Sequence, residues 1–369
     1  MEAAGLEQVV RAEDVAHMGI TEVLLHMPRI YGEYRRLVAA LKKRRPDIAV
    51  LIDFPDVNFR LARELKKLRV PVVFFVSPQL WAWKRRRLRW VQERVDRMMV
   101  IFPFEEAFYR ARGVTAEFVG HPLAEIPLPP RSREDFAAHY GLDPAKPWVA
   151  LLPGSRQKEV LANLGEMLET AKTLGQTSEY EFLLPVASTL DRAWLKHQIE
   201  AHERSGESKK LPDLAMVEDA REALFHARAS VVASGTATVL AAVVGNPFVV
   251  VYRVSNMTYR AAKHLVRYPA EISSEVDEFG NLPVGMVNLV AGRRVVPELL
   301  QERFTAENVA AALEPLLADG PERERMMAGL AEVRAKLLPG GSLSAIERVA
   351  DAVEGLLCPA GGPISVPSV

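Results

Sequence analysis

The segment LIDFPDVNF, residues 51–59, joins the end of an apolar run to a cluster of polar residues. The run covers residues 48–52, and a short apolar run is typical of a buried strand in a parallel sheet. Ligands in open α/β sheets bind just beyond the carboxyl ends of the strands. Asp53 directly follows the run, which is where a catalytic base would be useful.

Two more polar residues, Asp56 and Asn58, follow Asp53 closely, and Pro55 lies between Asp53 and Asp56. Either residue could instead cap the next helix, which we predict over residues 59–68. A single cap does not need three polar groups around a proline. A ligand-binding role therefore stays open for both residues.

Short apolar runs alternate with amphipathic stretches through most of the 369 residues. This alternation predicts an α/β protein with parallel sheets and crossover helices. The predicted strands cover residues 48–52, 70–76, 98–102, 116–119, 148–152, 180–185, 214–217, 230–233 and 248–252. Beyond residue 304 we predict helices only, over residues 306–317, 321–337 and 344–357.

A stretch rich in proline and arginine, residues 122–133, has the composition of a linker. We therefore predict an N-terminal domain over 1–125, a second α/β domain over 126–320, helices over 321–357 and a disordered tail over 358–369. Two α/β halves suit a cleft enzyme, but a two-lobed binding protein could share the layout.

Composition excludes several classes of protein. The 47 basic and 47 acidic residues balance, and no nucleic-acid-binding module is recognisable, so no nucleic-acid partner is expected. Cys358 is the single cysteine, which rules out an internal disulfide and favours a reducing compartment. No His, Asp or Glu spacing is typical of a metal site. No apolar run approaches the roughly 20 residues of a membrane span, and the first residues lack the apolar core of a secretory signal.

The segment LLPGSR, residues 151–156, follows a predicted strand and precedes a predicted helix over 158–174. Gly154 would let the backbone approach a ligand, and Ser155 lies where the helix N-terminus offers amide hydrogens to an anion. Arg156 could hold two phosphate oxygens at once. An ordinary Pro-Gly turn with a surface arginine explains the same residues equally well.

The segment ASGT, residues 233–236, repeats this arrangement after another strand. Ser234, Gly235 and Thr236 offer hydroxyl and amide groups to a diphosphate, although a simple helix cap would use them too. Two such turns in one half of the chain support each other. A nucleoside diphosphate is the simplest ligand that needs both.

Three residues near these turns are weaker candidates. Tyr252 and Arg253 end the next strand, and Arg253 could neutralise more phosphate charge or simply lie on the surface. Asn288 stands alone in an apolar segment. A buried asparagine needs hydrogen-bonding partners, which a nucleoside or the protein itself could supply.

The segment SPQLWAWKRRRLRW, residues 77–90, is aromatic and strongly basic. Such a segment could meet anionic lipid headgroups or a phosphorylated acceptor, or form a solvated helix face over buried tryptophans. The stripe Ile20, Val23, Leu24 and Met27 has helical spacing. It belongs either to the core or to a membrane interface. His121 is a lone histidine at the seam, for which a structural role is the simpler reading.

In their order, these segments resemble lipid-A-disaccharide synthase, a family of GT-B glycosyltransferases. The resemblance covers nearly the whole chain and is carried by IDFPDVNF (52–59), VSPQLWAW (76–83), FPFE (102–105), FVGHP (118–122), LLPGSR (151–156), ASGTA (233–237), VYR (251–253), VNLVAG (287–292) and PELLQ (297–301). Each motif is weak alone, but the ordered set is highly specific.

The resemblance implies a GT-B-like fold, with two Rossmann-like domains facing across a cleft and C-terminal helices that pack back toward the first domain. It implies transfer of 2,3-diacylglucosamine from UDP-2,3-diacylglucosamine to 2,3-diacylglucosamine 1-phosphate (lipid X), with inversion and without metal or cofactor. The products are UDP and a β-1,6-linked disaccharide 1-phosphate. The enzyme would work as a peripheral protein on the inner face of the cytoplasmic membrane. Oligomeric state stays open, with a homodimer among the options.

The resemblance also assigns roles to residues. Asp53 would be the general base. The UDP-sugar side would comprise Gly154, Ser155, Arg156, Ser234, Gly235, Thr236, Tyr252, Arg253, Asn288, Glu298 and Gln301. The acceptor and lipid side would comprise Asp56, Asn58, Ser77, Trp81, Trp83, Lys84 and Arg85.

Two departures from the family pattern stand out. Family members usually begin with a strand and a Gly-Glu-Ala-Ser-Gly-Asp-like turn. This chain lacks both, because its first residues resemble a point further along the family's first domain. Either the start is misassigned, which we expect, or the chain is impaired. The family usually has an acidic residue shortly after Ser-Gly-Thr, where this chain has Leu240. Glu298 is a candidate to replace it on the ribose.

Two other functions remain open from the sequence. A related enzyme such as a UDP-sugar 2-epimerase would bind UDP without needing an acyl-chain surface, which the tryptophan-rich segment disfavours. A non-catalytic nucleotide-binding or membrane-associated protein would bind UDP without turnover.

Overall fold

Parallel strands joined by helices make up the described part of this computed structural model, which comprises residues 5, 7–10, 20–176, 179–205, 211–273 and 275–358. The chain divides into two units, one of residues 1–119 with 341–369 and one of residues 120–340. In chain order, the first unit contains α1 (Ile20–Lys43), β1 (Ala49–Ile52), α2 (Pro55–Lys67), β2 (Val72–Phe75), α3 (Leu88–Arg94), β3 (Arg97–Val100), α4 (Pro103–Arg110) and β4 (Ala116–Phe118).

The second unit continues with α5 (Pro122–Glu125), α6 (Arg133–Tyr140), β5 (Trp148–Leu152), α7 (Gln157–Gly175), β6 (Glu181–Pro185), α8 (Arg192–Ser205), β7 (Leu214–Val217), α9 (Ala220–His226), β8 (Ala229–Ala233), α10 (Thr236–Val244), β9 (Phe248–Tyr252), α11 (Asn256–Leu265), α12 (Met286–Ala291), β10 (Glu298–Leu300), α13 (Ala306–Leu317) and α14 (Pro321–Lys336). The last helix, α15 (Ala345–Leu357), returns to the first unit.

The first sheet has the strand order β1-β2-β3-β4, and all of its strand pairs are parallel. Its β2 is fully buried, as expected for a central strand covered on both faces. β1 pairs only with β2 among the described strands, and Val50 and Ile52 are 40% and 49% exposed. The expectation of a buried first strand is therefore wrong for one of its two faces. Val50 and Ile52 are exposed on that face, whereas Leu51, which points to the opposite face, is buried.

The second sheet has the order β10-β9-β8-β5-β6-β7 and is also parallel. The chain adds strands on one side of β5 and then returns to add strands on the other side, so the order reverses between β5 and β8. Leu152 at the end of β5 is paired with Val232 in β8. Such a switch point opens a crevice beyond the strand ends, where ligands bind in α/β sheets.

Helices of the C-terminal region belong to different units. α14 packs on α10, α12 and α13 of the second unit, whereas α15 packs on β2 of the first. Strand β10 is not among the predicted strands, because a three-residue strand that begins with a glutamate gives no apolar run. Among the described residues, no helix has both the length and the apolar character needed to cross a bilayer.

Candidate functional site

A strained turn carries Asp53 beyond the end of β1. Asp53 and Phe54 both have left-handed backbone conformations, with φ of 46° and 43°. Non-glycine residues avoid this region, and each such residue costs on the order of 1–3 kcal/mol. The Asp53 amide still donates to the Phe75 carbonyl oxygen at 2.9 Å, which extends the β1–β2 ladder by one residue.

Asn58 holds this turn in place. Its side-chain amide donates to the carbonyl oxygens of Ile52 at 3.0 Å and Asp53 at 2.6 Å. Asn58 is buried, and both of its amide hydrogens are used, so it positions Asp53 rather than offering those hydrogens to an acceptor. The Asp53 carboxylate is exposed and, among the described residues, makes no hydrogen bond or ion pair.

The segment after β2 is organised around a buried glutamate that the sequence reading did not single out. Glu105 Oε1 accepts from the Ser77 hydroxyl at 2.9 Å and from the Trp81 indole nitrogen at 3.1 Å. Its Oε2 accepts from the Phe102 amide at 3.2 Å. Burial raises the pKa of Glu105 to about 7, although these hydrogen bonds act to lower it.

These contacts correct two of the predictions. Ser77 and Trp81 are both buried, so Trp81 does not face lipid and Ser77 does not face an acceptor in this structure. Trp83, in contrast, is 51% exposed, and Lys84 Nζ lies 4.1 Å from the centre of its ring. Arg85 is exposed and donates to the Trp81 carbonyl oxygen at 3.3 Å.

In the second unit, the turn of residues 153–156 follows β5 at the switch point. Gly154 has a φ of 129°, and an added Cβ would lie 2.6 Å from Glu159 Cβ. Glu159 Oε2 accepts from the amides of Ser155 at 3.0 Å and Arg156 at 3.3 Å. The expectation of free amides is thus wrong for these two, because a carboxylate already occupies the position foreseen for an anion. Arg156 also pairs with Glu159, at 3.1 Å.

The matching turn follows β8 on the other side of the switch point. Gly235 and Thr236 are exposed, and no side chain in the described part of the chain caps the N-terminus of α10. The Ser234 hydroxyl donates to the Val284 carbonyl oxygen at 3.4 Å. The Ser234 amide donates to the Val251 carbonyl oxygen at 2.9 Å, so the expectation of a free amide is wrong for this residue. A Cβ at Gly235 would meet nothing within 4 Å among the described residues.

Tyr252 and Arg253 lie at the end of β9. Burial and the charge of Glu159 raise the pKa of Tyr252. Both terminal nitrogens of Arg253 lie 3.2 Å from Glu166 Oε1, and Nη2 also donates to the Phe304 carbonyl oxygen. Arg253 is thus held by the protein, and phosphate binding would require it to leave Glu166.

Asn288 and Glu298 form a closed hydrogen-bonded cluster. The Asn288 amide nitrogen donates to Glu298 Oε1 at 2.8 Å and to the Val296 carbonyl oxygen at 3.0 Å, while its oxygen accepts from the amides of Val295 and Val296. Glu298 also accepts from the amides of Val284 and Gly285 and from Arg294.

Gln301 is likewise engaged, pairing through its amide with both backbone groups of Val254, at 2.9 and 3.0 Å. Asn288, Glu298 and Gln301 are all buried. The side-chain groups expected to contact a nucleotide are therefore engaged by the protein itself, and these include the Glu298 carboxylate expected to stand in for an acidic residue at position 240.

Three further expectations can be placed. His121 caps α5, accepting from the Leu123 amide at 3.2 Å, and burial lowers its pKa to about 4, in line with a structural role. The stripe from Ile20 to Met27 lies on α1, but its side chains are outside the described ones. Across the described ranges, no group of three or more His, Cys, Asp or Glu side chains could hold a metal ion.

Comparison with known proteins identifies the family. Residues 1–346 match a family model described as Lipid-A-disaccharide synthetase. The chain belongs to this family. A curated lipid-A-disaccharide synthase from Acidobacterium capsulatum is 55% identical over 97% of this chain and 87% of its own length. Another, from Koribacter versatilis, is 50% identical over 96% of this chain and 87% of its own length. The family places this chain among the glycosyltransferases of lipid A biosynthesis.

Solved structures support the predicted α/β fold class. A putative UDP-N-acetylglucosamine 2-epimerase from Listeria monocytogenes superposes with a TM-score of 0.58 at 12% identity, covering 98% of this chain and 85% of that one. The calicheamicin glycosyltransferase CalG4 superposes with a TM-score of 0.53 at 19% identity, covering 98% of this chain and 88% of that one. At such identities the likeness concerns the fold alone, and family membership separates the glycosyltransferase from the epimerase.

Proposed function

We propose that this protein transfers 2,3-diacylglucosamine from UDP-2,3-diacylglucosamine to 2,3-diacylglucosamine 1-phosphate. The products are the β-1,6-linked disaccharide 1-phosphate and UDP. The observation that carries the proposal is the Asp53 carboxylate, which is exposed, unpaired among the described residues and held on a strained turn by Asn58. A general base needs an accessible, fixed and unengaged carboxylate.

In the proposed step, Asp53 accepts the proton of the acceptor 6-hydroxyl. The hydroxyl oxygen attacks the anomeric carbon of the donor from the face opposite UDP, and the bond from that carbon to the diphosphate breaks. The electron pair leaves with UDP, so the configuration inverts.

The departing diphosphate gains negative charge, which needs hydrogen-bond donors. The free N-terminus of α10 and the exposed Thr236 hydroxyl are the donors we assign to it. Arg156 is exposed beside the neighbouring turn and could turn from Glu159 toward a phosphate. The backbone of residues 153–156 would border the same crevice at the switch point.

We also infer peripheral association with the inner face of the cytoplasmic membrane. Trp83 and Lys84 are exposed on the segment after β2, and an amphipathic ring beside a cation suits a lipid interface. A homodimer is the assembly to test by sedimentation velocity in detergent.

The test is transfer of radiolabelled sugar from UDP-2,3-diacylglucosamine to the acceptor in detergent, with UDP binding measured by calorimetry. Asp53→Asn should lower the transfer rate by about 10²–10⁴-fold, the usual contribution of a general base, while UDP affinity stays unchanged. The matched control is Asp47→Asn, the same isosteric change at an exposed residue before β1.

Each alternative predicts a different result. Transfer at an unchanged rate in Asp53→Asn would show that Asp53 is not the general base. UDP binding without any disaccharide from the unaltered protein would favour a non-catalytic role, and conversion of UDP-N-acetylglucosamine at its second carbon would favour an epimerase.

A further inference from the structure

A cavity of about 410 Å³ is lined by residues of the first unit, and neither Asp53 nor Ser77 is among them. Four arginines line it, and we call it the arginine pocket: Arg60, Arg63, Arg87 and Arg94. Its other lining residues are two acids, Asp56 and Glu64, and two aromatics, Tyr34 and Trp90. Four guanidinium groups against two carboxylates leave the lining with two excess positive charges.

The pocket follows from helical spacing on α2. Asp56, Arg60 and Arg63 are four and three residues apart, so they share one face of the helix. Glu64 is the residue after Arg63. It pairs at 2.7 Å with Lys67, which does not line the pocket. The carboxylate of Glu64 is therefore already neutralised without using a pocket arginine.

Two of the arginines are fixed in place. Arg87 pairs with Asp56 at 2.5 Å, and its guanidinium carbon lies 5.4 Å from the Trp90 ring centre. The guanidinium of Arg94 lies 5.0 Å from the same ring centre and donates to the Phe59 carbonyl oxygen at 3.0 Å. Trp90 thus holds two cations at cation–π distance.

The other two arginines have exposed side chains. Across the described residues, the guanidinium groups of Arg60 and Arg63 make no hydrogen bond, ion pair or ring contact. Burial is the main reason that the pKa of Arg94 is lowered, and the positive charge of Arg63 adds to this effect. The cations of the pocket therefore repel one another, and an anion bound between them would relieve that repulsion.

We propose that the arginine pocket binds a phosphate group, with Arg60 and Arg63 as its principal ligands. A guanidinium presents a planar fork that matches two phosphate oxygens, and a phosphate has enough oxygens to satisfy more than one fork. Its negative charge offsets the excess positive charge of the lining. The phosphate would come either from a soluble monoester or from the headgroup of an anionic phospholipid, and the same chemistry recognises both.

This site goes beyond the proposed transfer reaction and does not depend on it. Binding can therefore be measured without turnover. Failure of the transfer assay would leave the result on this pocket unaffected, and the reverse also holds.

The experiment compares the unaltered protein with Arg60→Gln/Arg63→Gln. Both positions are exposed on the helix, so folding should be preserved, as circular dichroism would verify. The charge-matched control is Lys43→Gln/Arg97→Gln, two exposed cations that do not line the pocket. A second variant, Arg60→Lys/Arg63→Lys, keeps the charge but removes the forks.

One arm titrates glucose 1-phosphate by calorimetry. The other measures sedimentation with vesicles of phosphatidylcholine that either contain or lack phosphatidylglycerol. We expect the glutamine variant to bind at least one of these probes about tenfold more weakly, because two cations are lost at the contact. The lysine variant should fall between that variant and the unaltered protein, and the control should match the unaltered protein.

The arms identify the source of the phosphate. A loss limited to glucose 1-phosphate assigns the pocket to a soluble phosphate, and a loss limited to anionic vesicles assigns it to a lipid headgroup. Two results overturn the proposal: equal losses in the glutamine variant and the control, which would indicate overall charge alone, or no loss in the glutamine variant with either probe.

Discussion

Glu105 is a carboxyl group buried at the end of the first sheet, where it joins the segments that follow β2 and β3. Donors from Ser77, Trp81 and the Phe102 backbone reach it. Burial disfavours the charged form, and its pKa is raised from 4.5 to about 7. Glu105 thereby holds Ser77 and Trp81, and the exposed Trp83 lies two residues further along the same segment.

This shift predicts how stability depends on pH. The folded state binds more protons than the unfolded state between pH 4.5 and about 7, so the contribution of Glu105 to stability falls as pH rises through that range. Urea unfolding of the unaltered protein and of Glu105→Gln should differ by an amount that changes by about 2–3 kcal/mol between pH 5 and pH 8.

The variant is compared at each pH because other groups titrate as well. Burial lowers the pKa of His121 to about 4. Its contribution therefore has the opposite sign and rises with pH between about 4 and the ordinary histidine value. His121 is present in both proteins, so it cancels in the difference. A difference that stays constant with pH would contradict a raised pKa at Glu105.

Asn288 offers a second test at the scale of one residue. It uses its oxygen and nitrogen on Val295, Val296 and Glu298, and it is almost fully buried. Asn288→Ala would leave those groups without partners, so we expect the free energy of unfolding to fall by about 3–5 kcal/mol. Urea unfolding measures this, and UDP calorimetry on the folded variant separates structural from ligand-binding roles. Unchanged stability with weakened UDP binding would restore the role that the family resemblance assigns.

At the scale of elements, the turn before α7 depends on a glycine and a glutamate. Gly154 has a backbone conformation that side chains rarely adopt, and its position faces Glu159, which caps the amides of Ser155 and Arg156. The sequence contained a signal for this cap, because a glutamate at the third helical position often reaches back to the start of its helix.

We therefore expect Gly154→Ala to disturb the cap and to destabilise the protein by about 1–3 kcal/mol. Weaker UDP binding should accompany this, since the turn borders the switch point. The matched control is Gly165→Ala in the middle of α7, where a Cβ would lie 3.6 Å from His202 in ordinary contact. That change should leave stability equal or raise it by about 0.5–1 kcal/mol. Equal melting temperatures for the two variants would refute the special role of Gly154.

At the scale of the whole molecule, α15 completes the first unit although it ends the described chain. It packs on β2, and Val349 on its inner face is only 8% exposed, whereas Ile346 on the same helix is 59% exposed. A capping box of Ser344 and Glu347 begins the helix, with the Glu347 amide 3.2 Å from the Ser344 hydroxyl.

Val349→Asp should therefore cost about 2–4 kcal/mol, because it places a charge against an apolar strand. Hydrogen exchange should accelerate in the strands of the first sheet, with amides of the second sheet as the internal reference. Ile346→Asp makes the same change at an exposed position and should alter exchange little. Equal effects of both substitutions would show that α15 does not cover the first sheet.

Much of this architecture follows from the sequence itself. Strands β1 to β9 were predicted within a few residues. Strands β2, β5, β6 and β8 are buried along their whole length, and burial on both faces of a parallel sheet favours runs of apolar side chains. The helices predicted over 306–317 and 321–337 match α13 and α14 closely. The short β10 escaped prediction, since three residues cannot establish a pattern.

The sequence also located the polar turns after β1, β5 and β8, because hydroxyl, carboxylate and glycine residues at strand ends are visible in one dimension. Tertiary structure alone decided which of those polar groups remain available. Asp53 and Thr236 stay unengaged among the described residues, whereas Arg253, Asn288, Glu298 and Gln301 are committed to partners within the protein. The physical reason is that a buried polar group must be satisfied, and its partners come from segments that only folding brings together. A sequence shows which residues can form hydrogen bonds, but their partners are fixed in three dimensions.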